Sequence, residues 1–458
     1  MEQKLFAEFP EVTKNDWIAQ VNKDLKGKNF DETLVWHSLE NFDIQSYYSK
    51  EDLDNLPLTE IQAAQKNKKT GLWQNRPSLK YTNERETNAL VINYLQSGAD
   101  AVNIVFSNID INQVDLVKLL NNIKLSDTPI FFTTLQGTEL LTNLSKYIHY
   151  LPKGGLQVDV IANSFIKTSS EGNKLTWEST KKTIIETEKF PNFQVLSVSS
   201  HVFHNAGANA VQELAFIIAA AVENLDKLTD LGLSAKQIIS KLEFSVSVGT
   251  NYFVEIAKLR ALRYLWSKVL ESYDCSYLIA DCQIHCQTSS FYDSTLSPYT
   301  NMLRATTEAM SAVMGGCDAL TVFAYDSVMG EQNTELGERI ARNVSILMRE
   351  EAHLDKTIDP SAGSYYIENL TNQLSVAAWK LFQKVESLGG ISAAFEKGFI
   401  KDEINQSYEA KVKNLQNGKV MVGVNKFRVE PENESKVIEN STESGIYLQN
   451  RRLSEVFE

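Results

Sequence analysis

From about Glu84 onward the chain repeats one pattern. A stretch with apolar residues at helical spacing is followed by a short run rich in β-branched and aromatic residues. Glu84–Gly98 precedes Ala101–Phe106 (AVNIVF), Val114–Ile123 precedes Pro129–Leu135, and Glu139–Tyr150 precedes Gln157–Ala162. Trp177–Phe190 precedes Val195–Ser200, and the stretches Ala208–Leu225 and Ala235–Leu242 precede Phe244–Val248. Phe253–Tyr273 then precedes Tyr277–Cys286, and Leu303–Met314 precedes Ala319–Tyr325. This alternation predicts βα units around a parallel sheet. About eight such units suit a TIM (β/α)8 barrel. A doubly wound sheet shows the same alternation, but no G-x-G-x-x-G follows a strand.

The two ends of the chain read differently. Near the start, the Thr13 hydroxyl is placed to accept an orphan backbone N–H, and Asp16 suits the positive end of a helix. Trp17, Val21 and Leu25 share one face of that helix, and Gly27 is the expected C′ residue. Trp36, Phe42, Tyr47 and Tyr48 follow, spaced among polar residues. Such an arm has little core of its own and needs a surface, either its own barrel or another subunit. Toward the other end, Leu336, Ile340, Val344 and Leu347 mark one helix, and Leu374, Ala378, Leu381, Val385 and Leu388 a second, stopped by Gly389-Gly390. Beyond Phe427 the sequence turns polar and reads as a loosely ordered extension. The expected organisation is an arm over residues 1–60, a barrel over 61–390 and a short helical C-terminal extension over 391–458.

Charge and cysteine content narrow the function classes. Lys+Arg number 45 and Asp+Glu 58, a net charge of −13, which argues against general nucleic-acid binding. Four cysteines in 458 residues are not a disulfide framework and fit a reducing compartment. The start, MEQKLFAEFPEV, lacks the basic and apolar regions of a signal peptide. The most apolar stretch, Leu214–Val222, is far shorter than the ~20 residues of a membrane span. A soluble, cytoplasmic protein is expected.

Three constellations invite chemistry. Cys282, His285 and Cys286 have metal-ligand side chains, but on a strand His285 faces away from the two cysteines, so no metal site is expected. His201 and His204, with Asn205, follow the strand Val195–Ser200, at the end where barrels place their active sites. They form either an acid/base or binding cluster, or a hydrogen-bonded loop closing the barrel mouth. Arg260 and Arg263 can reach phosphate or carboxylate groups, or equally pair with Glu255 or Glu271 on a helix surface.

The strings themselves resemble a known family. Arg339 to Gly390 (RIARNVSILMREEAHLDKTIDPSAGSYYIENLTNQLSVAAWKLFQKVESLGG) is similar to the region closing the barrel of methylmalonyl-CoA mutases. So are AKLRALRYLW (Ala257–Trp266), IHCQTSS (Ile284–Ser290) and VMVGVNKF (Val420–Phe427). The resemblance runs from about Thr33 to Phe427. It implies a TIM barrel that threads a CoA ester down its axis. It also implies an adenosylcobalamin-dependent radical rearrangement between methylmalonyl-CoA and succinyl-CoA. The family's cobalamin domain is flavodoxin-like and anchors the cofactor through the His of a D-x-H-x-x-G motif.

The sequence departs from the family where that chemistry lies. It contains no D-x-H-x-x-G. The resemblance places Trp73 where the mutases carry a substrate-contacting Tyr, and Val202 where they carry the His that polarises the substrate carbonyl. His201 and His204 flank that position, Asp318 stands at a Gln position of a GGTQSL-like loop, and an R-N-T-Y stretch is missing between Phe165 and Val195. Arg260, Arg263, His285 and Gln287 are kept, where the family places barrel-lining or substrate-contacting groups. The resemblance thus implies a small, non-catalytic subunit that binds no cofactor itself. Its partner would be a homologous large chain carrying the adenosylcobalamin. Trp17, Trp36, Tyr47 and Tyr48 would wrap that partner, and the isolated chain is free to self-associate through the same face. The alternative is the substrate-binding subunit of a split acyl-CoA mutase whose cobalamin domain is on a separate chain.

Overall fold

Eight parallel strands, counted among the described residues, close into a ring. The structure is a computed structural model that describes residues 12–66, 68, 70–107, 109–166, 176–330, 333–428 and 447–458. Strand β1 has two pieces, Gln74–Asn75 and Ser78–Lys80. Then come β2 (Val102–Val105), β3 (Ile130–Thr133), β4 (Gly154–Gln157) and the two-piece β5 (Phe193–Gln194 and Leu196–Ser199). The remaining strands are β6 (Leu242–Val248), β7 (Gln283–Thr288) and β8 (Ala319–Thr321).

Each strand pairs in parallel with the next, and β8 returns to β1 through Ala319 opposite Gln74 and Leu320 opposite Asn75. Two half-barrels meet along β1 and β5. The first piece of β1 pairs with β8 and the second with β2. The change of neighbour falls at Arg76-Pro77. Arg76 N–H still donates to Leu320 O (2.9 Å), whereas Pro77, with no N–H, offers only its carbonyl, which accepts from Asn103 N (2.9 Å). In β5 the change falls at Val195, where the N–H groups of Val195 and Leu196 both reach Lys241 O.

Strand alternation sorts the side chains. In β6, Leu242, Phe244, Val246 and Val248 face the helices, while Glu243, Ser245 and Ser247 face the barrel axis. The apolar stretch Leu214–Val222 lies in helix Ala210–Asp230, buried on nearly every face. That helix packs against helix Tyr365–Ser387, which also covers helix Tyr252–Ser272. Among the described residues no helix is long and apolar enough to cross a membrane.

Several sequence expectations need correction. The segment Gln157–Ala162 is not a strand: β4 ends at Gln157, and Asp159 caps a helix over Val160–Phe165 by accepting from Ala162 N (2.9 Å). Tyr277–Asp281 is mostly a 3-10 turn before β7. The alternation read from Glu84 onward missed β1, whose Pro masks its strand character. Helix Lys14–Asp24 has the expected Thr13/Asp16 capping box, but Lys26 (φ 50°), not Gly27, is the left-handed residue next to the C-cap, Leu25. The polar run after Phe427 falls largely on residues 429–446, outside the described residues.

The arm lies on its own barrel. Ile44 joins the main core, and Glu40 accepts from Val211 N (3.0 Å) at the start of helix Ala210–Asp230. Burial pushes the Glu40 carboxyl up to about 7. Of the partner-binding candidates, Trp17 stacks on Tyr47 (4.7 Å between centroids) and Tyr48 packs on Tyr366 (5.6 Å). Trp36 and Tyr47 remain 44% and 42% exposed. At the other end of the chain, Leu448, Arg451 and Leu453 donate backbone N–H groups to the carbonyls of Phe165, Asn205 and Phe291, each at 2.8 Å. The last residues therefore lie across the loops that follow β4, β5 and β7.

Candidate functional site

The barrel interior holds two cavities, one at each end. The upper cavity, at the C-terminal ends of the strands, has a volume of about 610 Å3. The lower cavity, at the opposite mouth, has a volume of about 1170 Å3. No residue lines both.

What separates them is a two-layer plug built from β1, β3, β6, β7 and β8, with His201 from just after β5. In the lower layer, Arg76 of the β1 stretch donates to both oxygens of Glu243 on β6 (2.9 and 2.7 Å). Its guanidinium lies 3.6 Å over the ring of Phe131 on β3. Both ionic groups are buried, so their attraction is little screened, and the bidentate geometry offsets the cost of desolvating them. Among the described residues Arg76 Nε has no hydrogen-bond partner.

The upper layer is a hydrogen-bond chain whose direction can be worked out. Thr321 Oγ1 donates to Arg76 O (2.6 Å), so it accepts from His285 Nε2 (2.8 Å). His285 Nδ1 then accepts from Ser245 Oγ (2.8 Å). Ser245 Oγ, its proton spent, accepts from His201 Nε2 (2.7 Å), and His201 Nδ1 accepts from Ser247 Oγ (2.7 Å). The assignment requires both imidazoles to be neutral. Burial supplies that, pushing His201 down to about 3 and His285 well below its ordinary value. A second proton on either ring would turn its accepting nitrogen into a donor and force the facing serine hydroxyl to rotate and accept, reversing the chain.

The upper cavity is lined by hydroxyls, amides and neutral imidazoles together with apolar side chains such as Val105, Phe106, Leu135 and Phe323. His201, Val202, His285 and Gln287 line it as expected, beside Ser78, Asn103 and Ser197. Among the described residues no lysine or arginine lines it. Its lining carboxyl, Asp159, is pushed up to about 7 by burial, even though it accepts from Ala162 N and Ser199 N (2.9 and 2.8 Å). The lower cavity carries formal charge, with Lys153, Lys236, Glu188 and Asp281 among its lining residues.

Several candidates lie elsewhere. His204 is buried away from the cavity, bridging Ser289 Oγ (2.6 Å) and Glu213 (2.8 Å). Burial alone would raise Glu213, but Lys258 and His204 hold it down at about 2. Arg260 is not a barrel-lining group. It lies outside the ring, clamping Asp359 of the DPSAGSYY turn and Glu368 of the following helix (2.9 Å each). Helix spacing points its side chain at the neighbouring helix.

Arg263 also misses the pocket. It donates to Cys282 O, Gly316 O and Asp318, tying together the entries of β7 and β8. Asp318 likewise lies at the lower mouth, and its charge does not face the upper cavity. Trp73 is at the lower end too, buried with Nε1 donating to Ser345 Oγ (2.8 Å). Trp73 and Val202 therefore sit on opposite sides of the plug. Among the described residues no group of three or more His, Cys, Asp or Glu is placed to hold a metal ion.

The sequence reading missed the plug. Glu243, a charged residue in phase with Ser245 and Ser247 on an otherwise apolar strand, was the available signal, but the expected strand began one residue later.

Known proteins share this chain's sequence over most of its length. A family model described as "Methylmalonyl-CoA mutase" matches residues 109–457. The chain is 34% identical over 443 residues to the "Methylmalonyl-CoA mutase small subunit" of Porphyromonas gingivalis, covering 93% of this chain and 71% of that protein. It is 29% identical over 445 residues to the protein of the same name from Streptomyces virginiae, covering 92% and 71%. The methylmalonyl-CoA mutase of Rhizobium meliloti is 30% identical over 469 residues, and there the match spans 92% of this chain but 65% of the mutase. With a parallel α/β ring and matches that run through arm, barrel and final helices, the chain belongs to the methylmalonyl-CoA mutase family.

Proposed function

We propose that this chain is the small, non-catalytic subunit of a heterodimeric adenosylcobalamin-dependent methylmalonyl-CoA mutase. The interconversion of methylmalonyl-CoA and succinyl-CoA would be carried out by a homologous large chain. The observation that carries this reading is the plug. A CoA ester threaded along the axis would have to break the Arg76–Glu243 pair and the His285–Ser245–His201 chain. An acyl carboxylate that reached the upper cavity would find no cation among the described lining residues and would be desolvated without compensation. Val202 donates no hydrogen bond to a thioester carbonyl.

The residues present do not fit the cobalamin either. None of the six histidines stands in a D-x-H-x-x-G motif. His201, His204 and His285 are committed to internal hydrogen bonds, and His37 to Asp43 (2.7 Å). The names of the two small-subunit relatives support a partner chain.

Equilibrium dialysis of the purified chain against methylmalonyl-CoA and against adenosylcobalamin tests the reading. No saturable binding tighter than about 1 mM is expected, a free energy below about 4 kcal/mol. Purification from the native host, with partners identified by mass spectrometry, should return a larger homologous chain in equal amount. Micromolar cobalamin binding by this chain, or a short cobalamin-domain partner instead, would sink the proposal.

A further inference from the structure

The upper cavity holds an acidic group with no cation beside it. Asp159 lines it, on the stretch between β4 and helix Val160–Phe165. One carboxyl oxygen accepts from Ala162 N and the other from Ser199 N. Both donors are neutral amides. A carboxylate has about four acceptor positions, so these two bonds leave room for further donors. Among the described residues Asp159 forms no ion pair, and the lining histidines, His201 and His285, are neutral. The Arg76 charge faces the lower side and is spent on Glu243. Burial pushes the Asp159 carboxyl up to about 7, as expected of an enclosed anion that lacks a counter-charge.

The surroundings suit an organic cation better than a metal ion. A metal ion takes several oxygen, nitrogen or sulfur ligands, and no such cluster is found among the described residues. The cavity instead offers two aromatic rings, Phe106 and Phe323, beside the aliphatic Leu135. Aromatic faces attract cations, and apolar walls bury a ligand's body. Two amides are free to orient it. Gln287, in phase with the inward-facing His285 on β7, makes no side-chain hydrogen bond among the described residues. Neither does Asn163, one helical turn on from Asp159. The volume of about 610 Å3 falls in the usual range of small-molecule sites.

We propose that the upper cavity binds a small organic cation, an amine with an apolar body whose ammonium pairs with Asp159. Its body would lie among Phe106, Leu135 and Phe323. This ligand has the opposite sign to the acyl carboxylate of the mutase substrate, which the same cavity rejects. The proposal concerns this chain alone and does not rest on its having a large partner.

The test uses the purified full chain and three probes of similar shape. Tryptamine is a cation, tryptophol a neutral alcohol and indole-3-acetate an anion. Dissociation constants are measured by isothermal titration calorimetry at about pH 8, where Asp159 carries its charge. Tryptamine should bind about tenfold more tightly than tryptophol, and indole-3-acetate should show no binding. Asp159→Asn keeps an oxygen for the Ala162 N–H and should bring tryptamine down to the affinity of tryptophol. Asn163→Trp fills the cavity from a half-buried position, leaves the carboxyl in place, and should abolish binding of all three. Circular dichroism and the melting temperature establish that each variant is folded. If Asp159→Asn does not fold, Asn163→Trp decides. The proposal is overturned if tryptamine shows no saturable binding up to about 5 mM, or if either other probe binds as tightly. It is equally overturned if tryptamine binding survives in a folded variant, because the amine would then sit elsewhere on this acidic chain.

Discussion

The two ends of the barrel interior are made of different chemistry. The lower end is charged and terminates in Arg76 and Glu243, each worth little without the other in a buried place. The upper end is neutral, a relay of hydroxyls and imidazoles in which every proton has one acceptor. The first is held by Coulomb attraction and tolerates no loss of a partner. The second is held by hydrogen-bond direction, which an added proton would reverse. A barrel built to pass a long anionic ester would need the reverse: an open axis and a cation near the reacting end.

The largest expected effect tests the lower layer. Glu243→Ala leaves the Arg76 guanidinium buried and unpaired, and should cost about 3–5 kcal/mol in urea unfolding. The double change Arg76→Met with Glu243→Leu removes both charges and should recover most of that loss. If the single variant unfolds like wild type, the pair is not what holds the floor.

The upper layer is sharpened by pH. His201 titrates near 3 in the fold, below its ordinary value of 6.5. Between these values the unfolded chain carries a proton that the native chain does not. The His201 contribution is complete above about pH 6.5 and shrinks by about 1.4 kcal/mol per pH unit below it. His201→Asn removes this, so the stability gap between wild type and variant should narrow from pH 7.5 to 5. A gap that stays constant would mean that the ring is not held neutral.

Two smaller effects separate the ends. Trp73→Phe keeps most of the buried ring and loses the hydrogen bond to Ser345, for about 1 kcal/mol with no effect on the upper cavity. Val202→His returns a donor to the upper cavity but leaves the plug intact, so dialysis should still show no binding of methylmalonyl-CoA. Binding restored by that one change would place the defect in the cavity lining and not in the plug.

Much of this arrangement was legible in the sequence. The βα rhythm gave six of the strands, and set the fourth a few residues late, because helical and strand periodicities differ and the intervening turns are short. The eighth, β1, was hidden because Pro77 interrupts it, and only pairing across the ring makes Gln74–Lys80 a strand. His201, Val202, His285 and Gln287 line one cavity because the first two follow the end of β5 and the last two face inward from β7. Arg260 and Arg263 were misplaced because a helix has several faces, and the sequence does not say which face meets the barrel. The Arg76–Glu243 pair joins residues 167 positions apart, and no local pattern reports such a contact.

The split of β1 also has a consequence during synthesis. Strands β1 to β5 leave the ribosome first and can form one half of the wall while β8 is still unmade. Until Leu320 arrives, the waiting side of β1 is an open strand edge, a template for pairing with the wrong chain. That edge is short: in the finished ring it is used by the N–H groups of Gln74 and Arg76, which donate to Asp318 O and Leu320 O (2.9 Å each), whereas the Pro77 carbonyl already faces β2. A short edge gives a stray strand little to copy.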